Sequence, residues 1–202
     1  MNPRGPGLKP KKPNGRSGLV RRYLRHTIRA RHLMERVESR LPDQPVSNKT
    51  YNELCIRNIC RSPIAEGVFQ KVVNERNQGD NWEIDSAAIG GWHVGYPPDD
   101  RALQTMKKHQ VNYNNTARQI VSEDFMTFDY IFGMDESNIK DLKKRAPKHC
   151  KAQILLFGDF DPQGDRIIRD PYYDSDSKGF EKCYEQSLRC SEGFLEHLAK
   201  QV

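Results

Sequence analysis

Two residues of this chain are spaced to do chemistry together: Cys55 and Arg61, separated by Ile56-Arg57-Asn58-Ile59-Cys60 and followed by Ser62-Pro63. A thiol becomes a good nucleophile only as the thiolate, which needs hydrogen-bond donors and positive charge nearby. The N-terminus of a helix supplies both. Ser62-Pro63 announces such a terminus, because serine is a preferred N-cap and proline at the first helical position has its φ already set. Ala65, Val68, Phe69 and Val72 then recur at helical spacing, so a helix is expected from Pro63 to about Arg76. Five intervening residues suit a loop that curls round a tetrahedral dianion with its N–H groups turned inward. Arg61 adds a rigid fork for two of the oxygens and leaves the sulfur beneath the phosphorus for in-line attack. The arrangement predicts phosphoryl transfer to Cys55.

The stretch CIRNICRSPIAEGVF resembles the signature of the low-molecular-weight protein tyrosine phosphatases, with Cys55 matching the nucleophile and Arg61 the phosphate-binding arginine. Asp170-Pro171-Tyr172-Tyr173 matches the late motif of that family, which carries the general acid. Ile84-Asp85-Ser86-Ala87, Ala117-Arg118-Gln119-Ile120, Phe128-Asp129-Tyr130 and Met134-Asp135-Glu136-Ser137-Asn138 also read like family sequence. The resemblance runs from about Leu54 to Val202.

It implies a protein tyrosine phosphatase that also acts as an acid phosphatase on small aryl phosphates, through a cysteinyl-phosphate intermediate and without metal or cofactor. Phosphate would lie against the backbone of Ile56, Arg57, Asn58, Ile59 and Cys60, with Asp170 protonating the leaving oxygen. Ser62 is placed to hydrogen-bond the Cys55 thiolate. Asn58 and Ser86 look like the side chains that brace the loop, asparagine tolerating a left-handed backbone. Trp92, an aromatic between glycines on the loop Gly90–Pro98, and the pair Tyr172 and Tyr173 would wall a flat aromatic ring. Cys55 and Cys60 share one tight loop, so a reversible disulfide between them is expected under oxidation. Family members carry a histidine where this chain has Asn115 and a glycine where it has Arg57.

Charge is unevenly distributed along the 202 residues. The formal charge is +6, yet residues 1–45 hold twelve Lys/Arg against three Asp/Glu, leaving 21 against 24 for residues 46–202. The basic character belongs to the N-terminal extension and says nothing about the phosphatase-like domain, residues 46–202. Within the extension, residues 1–18 are rich in proline and glycine and are expected to be disordered. Val20 to Leu41 has the pattern of a basic amphipathic helix, and Leu41 to Pro45 reads as a linker. The pattern would suit a membrane-surface patch, a nucleic-acid patch or a mitochondrial-type presequence, but a solvated extension with no role is expected, its proline-rich start being a poor one for a presequence. No specific nucleic-acid partner is expected. No apolar run approaches a membrane span. Five cysteines in no zinc-type or secreted-scaffold spacing suit a reducing compartment, so the cytoplasm is the expected location. The six histidines show no metal spacing either.

These residues need a scaffold, and the pattern supplies one. Apolar runs at Trp82–Ala87, Tyr130–Met134 and Gln153–Gly158 alternate with helical patterns at Asp99–His109, after Asp135 to about Lys144, and from about Lys178. The expected fold is α/β: a small doubly wound parallel sheet of four strands with helices on both faces, flavodoxin-like, as the resemblance implies. The strand that must deliver Cys55 is the weak point. Val46 to Leu54 is polar where a central parallel strand is ordinarily apolar, and it threatens to bury Asn48, Lys49, Asn52 or Glu53. Together with Arg57 this raises an alternative, a catalytically impaired module that binds phosphotyrosine. Arsenate reductase, which shares the Cys-x5-Arg loop, is the lesser alternative, because no further cysteine lies between Cys60 and Cys150.

Overall fold

The computed structural model describes residues 49–55 and 57–201, so the expectations for residues 1–45 lie outside the described residues. In chain order the elements are β1 (Lys49–Cys55), α1 (Arg61–Glu75), β2 (Trp82–Ala88), α2 (Asp100–Lys108), the short α3 (Asp124–Thr127), β3 (Tyr130–Gly133), α4 (Glu136–Arg145), β4 (Gln153–Leu156) and α5 (Lys178–Ala199). Every strand pair is parallel and the strand order is β2-β1-β3-β4. The chain leaves β1 for β2 on one side and later returns to β3 on the other. In open α/β sheets ligands bind beyond the carboxyl ends of the strands at such a reversal. Here that point is Cys55, the last residue of β1.

The two faces of the sheet are covered differently. One carries α1, α2 and α5 and the larger core, with Phe69, Val72, Met106, Phe180 and Phe194 buried among them. The other carries Leu142 of α4 together with Ile89, Ile120, Phe125 and Ile131. Phe194 sits 5.0 Å ring to ring from each of Tyr130, Phe132 and Phe160 and pins α5 to the sheet. Of the stripe expected on this helix, Tyr184, Ser191, Leu195 and Leu198 are buried.

β1 is central, as expected, and most of its polar residues find partners. Lys49 lies 6.0 Å over the Trp82 ring and is only half-buried. Thr50 is tied to the start of β3: its N–H and its hydroxyl donate to Asp129 Oδ2 at 2.9 and 3.1 Å, and the Asp129 N–H donates back to Thr50 Oγ1 at 2.7 Å. Tyr51 is fully buried, stacked 4.1 Å from Phe69 and 4.8 Å from Phe132. Among the described side chains of the segment, the expected fault narrows to one residue; Asn48 and the Glu53 side chain lie outside them. Asn52 alternates to the face of Ile131, is fully buried, and has no hydrogen-bond partner for either amide atom.

An amide buried without partners costs about 1–3 kcal/mol, and 1 kcal/mol moves the melting temperature by about 2–4 °C in a domain of this size. Asn52→Val, whose side chain fits a strand and needs no partner, is expected to melt at least about 2 °C higher than the parent by circular dichroism. A lower melting temperature would show that the Asn52 amide is satisfied in solution.

Candidate active site

The loop after β1 is shaped by one left-handed residue. Asn58 has φ 55° and is buried, and its amide works in three directions. Nδ2 donates to Ser62 Oγ at 3.0 Å and to Ser86 Oγ at 2.8 Å, while Oδ1 accepts from the Arg118 N–H at 3.1 Å. The side chain thereby joins the loop to the first turn of α1, to β2, and to the segment Ala117–Ile120. Ile59 O accepts from the Asp99 N–H at 2.8 Å, which ties the same loop to the start of α2. The bracing roles expected of Asn58 and Ser86 are thus matched by direct contacts. Ile59 and Cys60 are buried at the foot of the loop.

The helix start differs from the expectation. α1 begins at Arg61 with Cys60 in the N-cap position, so Ser62 lies inside the first turn. Ser62 Oγ is instead engaged by Asn58, and Pro63 remains harmless because the first helical N–H groups have no intrahelical acceptor to lose.

Starting the helix at Arg61 buries that side chain, which is 3 % exposed. Its Nη1 donates to Asp135 Oδ2 at 2.7 Å and to Ile168 O at 2.8 Å, and its Nη2 lies 3.5 Å from Asp170 Oδ2. Asp135 serves two elements, since its other oxygen accepts from the Asn138 N–H and caps α4. The motif around Asp135 was legible only as family-like sequence; its hold on Arg61 was missed. Asp170 Oδ1 accepts from the Tyr172 N–H at 3.1 Å, a local turn that aims the other oxygen at Arg61. Cys55, Arg61 and Asp170, 115 residues apart along the chain at the extremes, are thus brought to the one end of the sheet where β1 stops.

Arg101 was also missed. Its guanidinium chelates Asp99, at 2.9 Å to each oxygen, and donates to Tyr172 O at 3.0 Å and Asp174 O at 2.6 Å. It fastens the loop bearing Asp170 to the N-terminus of α2. The Arg101 guanidinium in turn holds the Asp99 carboxyl below its usual range. Arg57, expected as a defect, lies over the aromatic pair: its guanidinium carbon is 4.3 Å from the Tyr172 ring centre and 5.4 Å from that of Tyr173, and Nη2 donates to Tyr173 Oη at 2.8 Å. Tyr172 and Tyr173 meet edge to face at 5.0 Å, and Tyr173 is 79 % exposed. Trp92 is 73 % exposed with its ring laid on Gly90, where any Cβ would collide with it. Among the described residues, no group of three or more His, Cys, Asp or Glu side chains is arranged to hold a metal ion. Nor is any described helix long and apolar enough to cross a membrane.

Behind the loop lies a buried carboxyl. Glu66, on α1, accepts from Ser86 Oγ at 2.5 Å, Tyr113 Oη at 2.6 Å and Asn115 Nδ2 at 2.5 Å. Asn115 is therefore a partner of Glu66. Burial outweighs the three donors and raises the Glu66 pKa, and burial together with that carboxyl pushes the Tyr113 phenol well above its ordinary range.

A family model described as low molecular weight phosphotyrosine protein phosphatase matches residues 53–202. The chain belongs to that family. It is 54 % identical to the low molecular weight phosphotyrosine protein phosphatase of Rattus norvegicus over 153 residues, covering 75 % of this chain and 96 % of the rat protein. Its fold is similar to that of Primo-1, with TM-score 0.71, 46 % identity, and coverage of 73 % of this chain and 97 % of that one. It is also similar to a protein tyrosine phosphatase of Entamoeba histolytica, with TM-score 0.72, 32 % identity, and coverage of 76 % and 98 %. Membership of this family makes the chain a phosphoric monoester hydrolase and sets the arsenate reductase reading aside.

A carboxyl with a raised native pKa contributes its full stability at acidic pH and loses it as the pH climbs through that pKa. Tyr113→Phe removes a donor to the ionised form and raises the Glu66 pKa further. Its stability deficit, measured by urea unfolding, is expected to be small near about pH 4 and to reach about 1–2 kcal/mol near about pH 8. A deficit independent of pH would mean that Tyr113 acts through packing alone.

Proposed function

We propose that this phosphatase hydrolyses phosphotyrosine in proteins, and phosphate esters of small phenols, through a phosphorylated Cys55. The observation that carries the reading is the buried Arg61, fixed from behind by Asp135 and Ile168 O and meeting Asp170 at its outer edge. A guanidinium so held needs no reorganisation when charge builds on the equatorial oxygens of the transferring group. The Cys55 thiolate attacks phosphorus in line while the P–O bond to the phenol breaks. Asp170, protonated, gives its proton to the departing oxygen. In the second half a water molecule attacks the phosphocysteine, the ionised Asp170 takes the water proton, and the S–P bond breaks to release phosphate and restore the thiolate. The loop backbone from Ile56 to Cys60 supplies further donors, Ser62 supports the thiolate, and Trp92, Tyr172 and Tyr173 wall the aromatic ring. The chemistry needs a reduced thiol, which suits the cytoplasm.

Cys55→Ser should abolish hydrolysis of a phosphotyrosine peptide, and Arg61→Ala should lower kcat/KM by orders of magnitude. Asp170→Ala should slow a phenyl phosphate with a poor leaving group far more than para-nitrophenyl phosphate, because only the former needs the proton. Turnover surviving in Cys55→Ser, or an Asp170→Ala defect equal for both leaving groups, would overturn the assignment. Peroxide is expected to inactivate reversibly by joining Cys55 to Cys60. Peptide mapping should find that bridge in the parent and only over-oxidised Cys55 in Cys60→Ser.

A further inference from the structure

Arg57 stands in the loop between Cys55 and Arg61, half-buried, with its guanidinium reaching the aromatic pair that follows Asp170. A guanidinium carries five N–H donors, and among the described residues the one hydrogen bond Arg57 makes uses Nη2 toward Tyr173 Oη. Stacking on the Tyr172 ring occupies the flat face of the group and leaves its edge, where the remaining donors point, open to another acceptor.

The other arginines around the site are already neutralised. Arg61 is paired with Asp135 and Asp170, Arg101 with Asp99, and Arg169 with Asp174. Among the described residues, no carboxylate forms an ion pair with Arg57. Asp170, whose charge acts on Arg57 more weakly than the two tyrosines, is directed at Arg61. The site thus presents one oriented cation, edge outward, beside the ring wall that a phosphotyrosine would occupy.

We propose that Arg57 is a specificity residue that selects phosphotyrosine substrates carrying an acidic side chain next to the phosphotyrosine. The inference rests on the phosphotyrosine reading above. A guanidinium fork matches a carboxylate in two parallel hydrogen bonds, and the stack on Tyr172 holds the fork in place before the substrate arrives. A flanking lysine meets the same group as a like charge.

The test compares kcat/KM of the full chain, Arg57→Gln and Arg57→Lys on three phosphotyrosine peptides differing only in flanking Glu, Gln or Lys, at low and high salt. The parent is expected to prefer the Glu peptide over the Gln peptide by about two- to fivefold, mainly through KM, and less so at high salt. Arg57→Gln should flatten the ratio and Arg57→Lys should keep part of it. Equal rates for the three peptides, or an Arg57→Gln defect of the same factor on all three, would overturn the proposal, the latter marking Arg57 as a strut for the tyrosine loop. Calorimetry with Cys55→Ser and the same peptides reads the preference apart from turnover. Failure of the parent to hydrolyse any peptide counts against the catalytic reading, whereas equal affinities for the three peptides overturn the role of Arg57.

Discussion

The left-handed turn at Asn58 is the constraint on which the site depends. A side chain in that conformation is held at a cost of about 1–2 kcal/mol, least for asparagine and aspartate, whose short polar groups bond locally. The amide of Asn58 offsets the cost by using both donors of Nδ2 and one acceptor site of Oδ1 inside the protein. Removing any of its neighbours would leave a buried polar atom and loosen the turn that points the loop at its ligand. The lattice extends through Ser86 to Glu66, so the shape of an anion site is set, two bonds away, by a buried acid.

A second constraint is the charge of Arg61. A cation nearly without solvent must be repaid by close partners, and Asp135 and the carbonyl of Ile168 do this at Nη1. One carboxylate, that of Asp135, therefore caps α4 and anchors the Arg61 guanidinium at once. The loop of Asp170 is fixed by Arg101 rather than by its own sequence alone. Three segments distant in sequence converge on a site with little freedom left in it, which is what stabilising a short-lived charge distribution requires.

Much of this was legible in the chain. The alternation of apolar runs with helical stripes gave the parallel sheet, and Cys55, Arg61, Ser62-Pro63 and Asp170-Pro171 marked the loop and its acid. What was not legible is instructive. Ser-Pro read as a helix cap because that is its usual meaning, yet the helix starts at Arg61, before the serine, whose hydroxyl oxygen accepts from Asn58. Lys49 to Glu53 read as a failed central strand because composition cannot see that Tyr51 would stack on Phe69 or that Thr50 would find Asp129, 79 residues on. Asn52 keeps the misfit that the pattern warned of. Arg101, Asp135 and Tyr113 were missed for one reason: each acts through a partner far away along the chain, and single-residue chemistry carries no trace of that partner.

The same long reach orders events in time. The loop that carries Cys55 is made early, while its ties come late: Arg61 bonds Ile168 across 107 positions and Arg57 bonds Tyr173 across 116. Chains are synthesised from the N-terminus, and contacts this distant cannot form until the later segment has emerged. A nascent chain therefore carries its cysteine through most of translation without the seated arginine or the acid loop beside it. Assembly of β3, α4 and the segment after β4 brings the seated Arg61 and Asp170 to the end of β1 together, so the proposed site is completed late in folding.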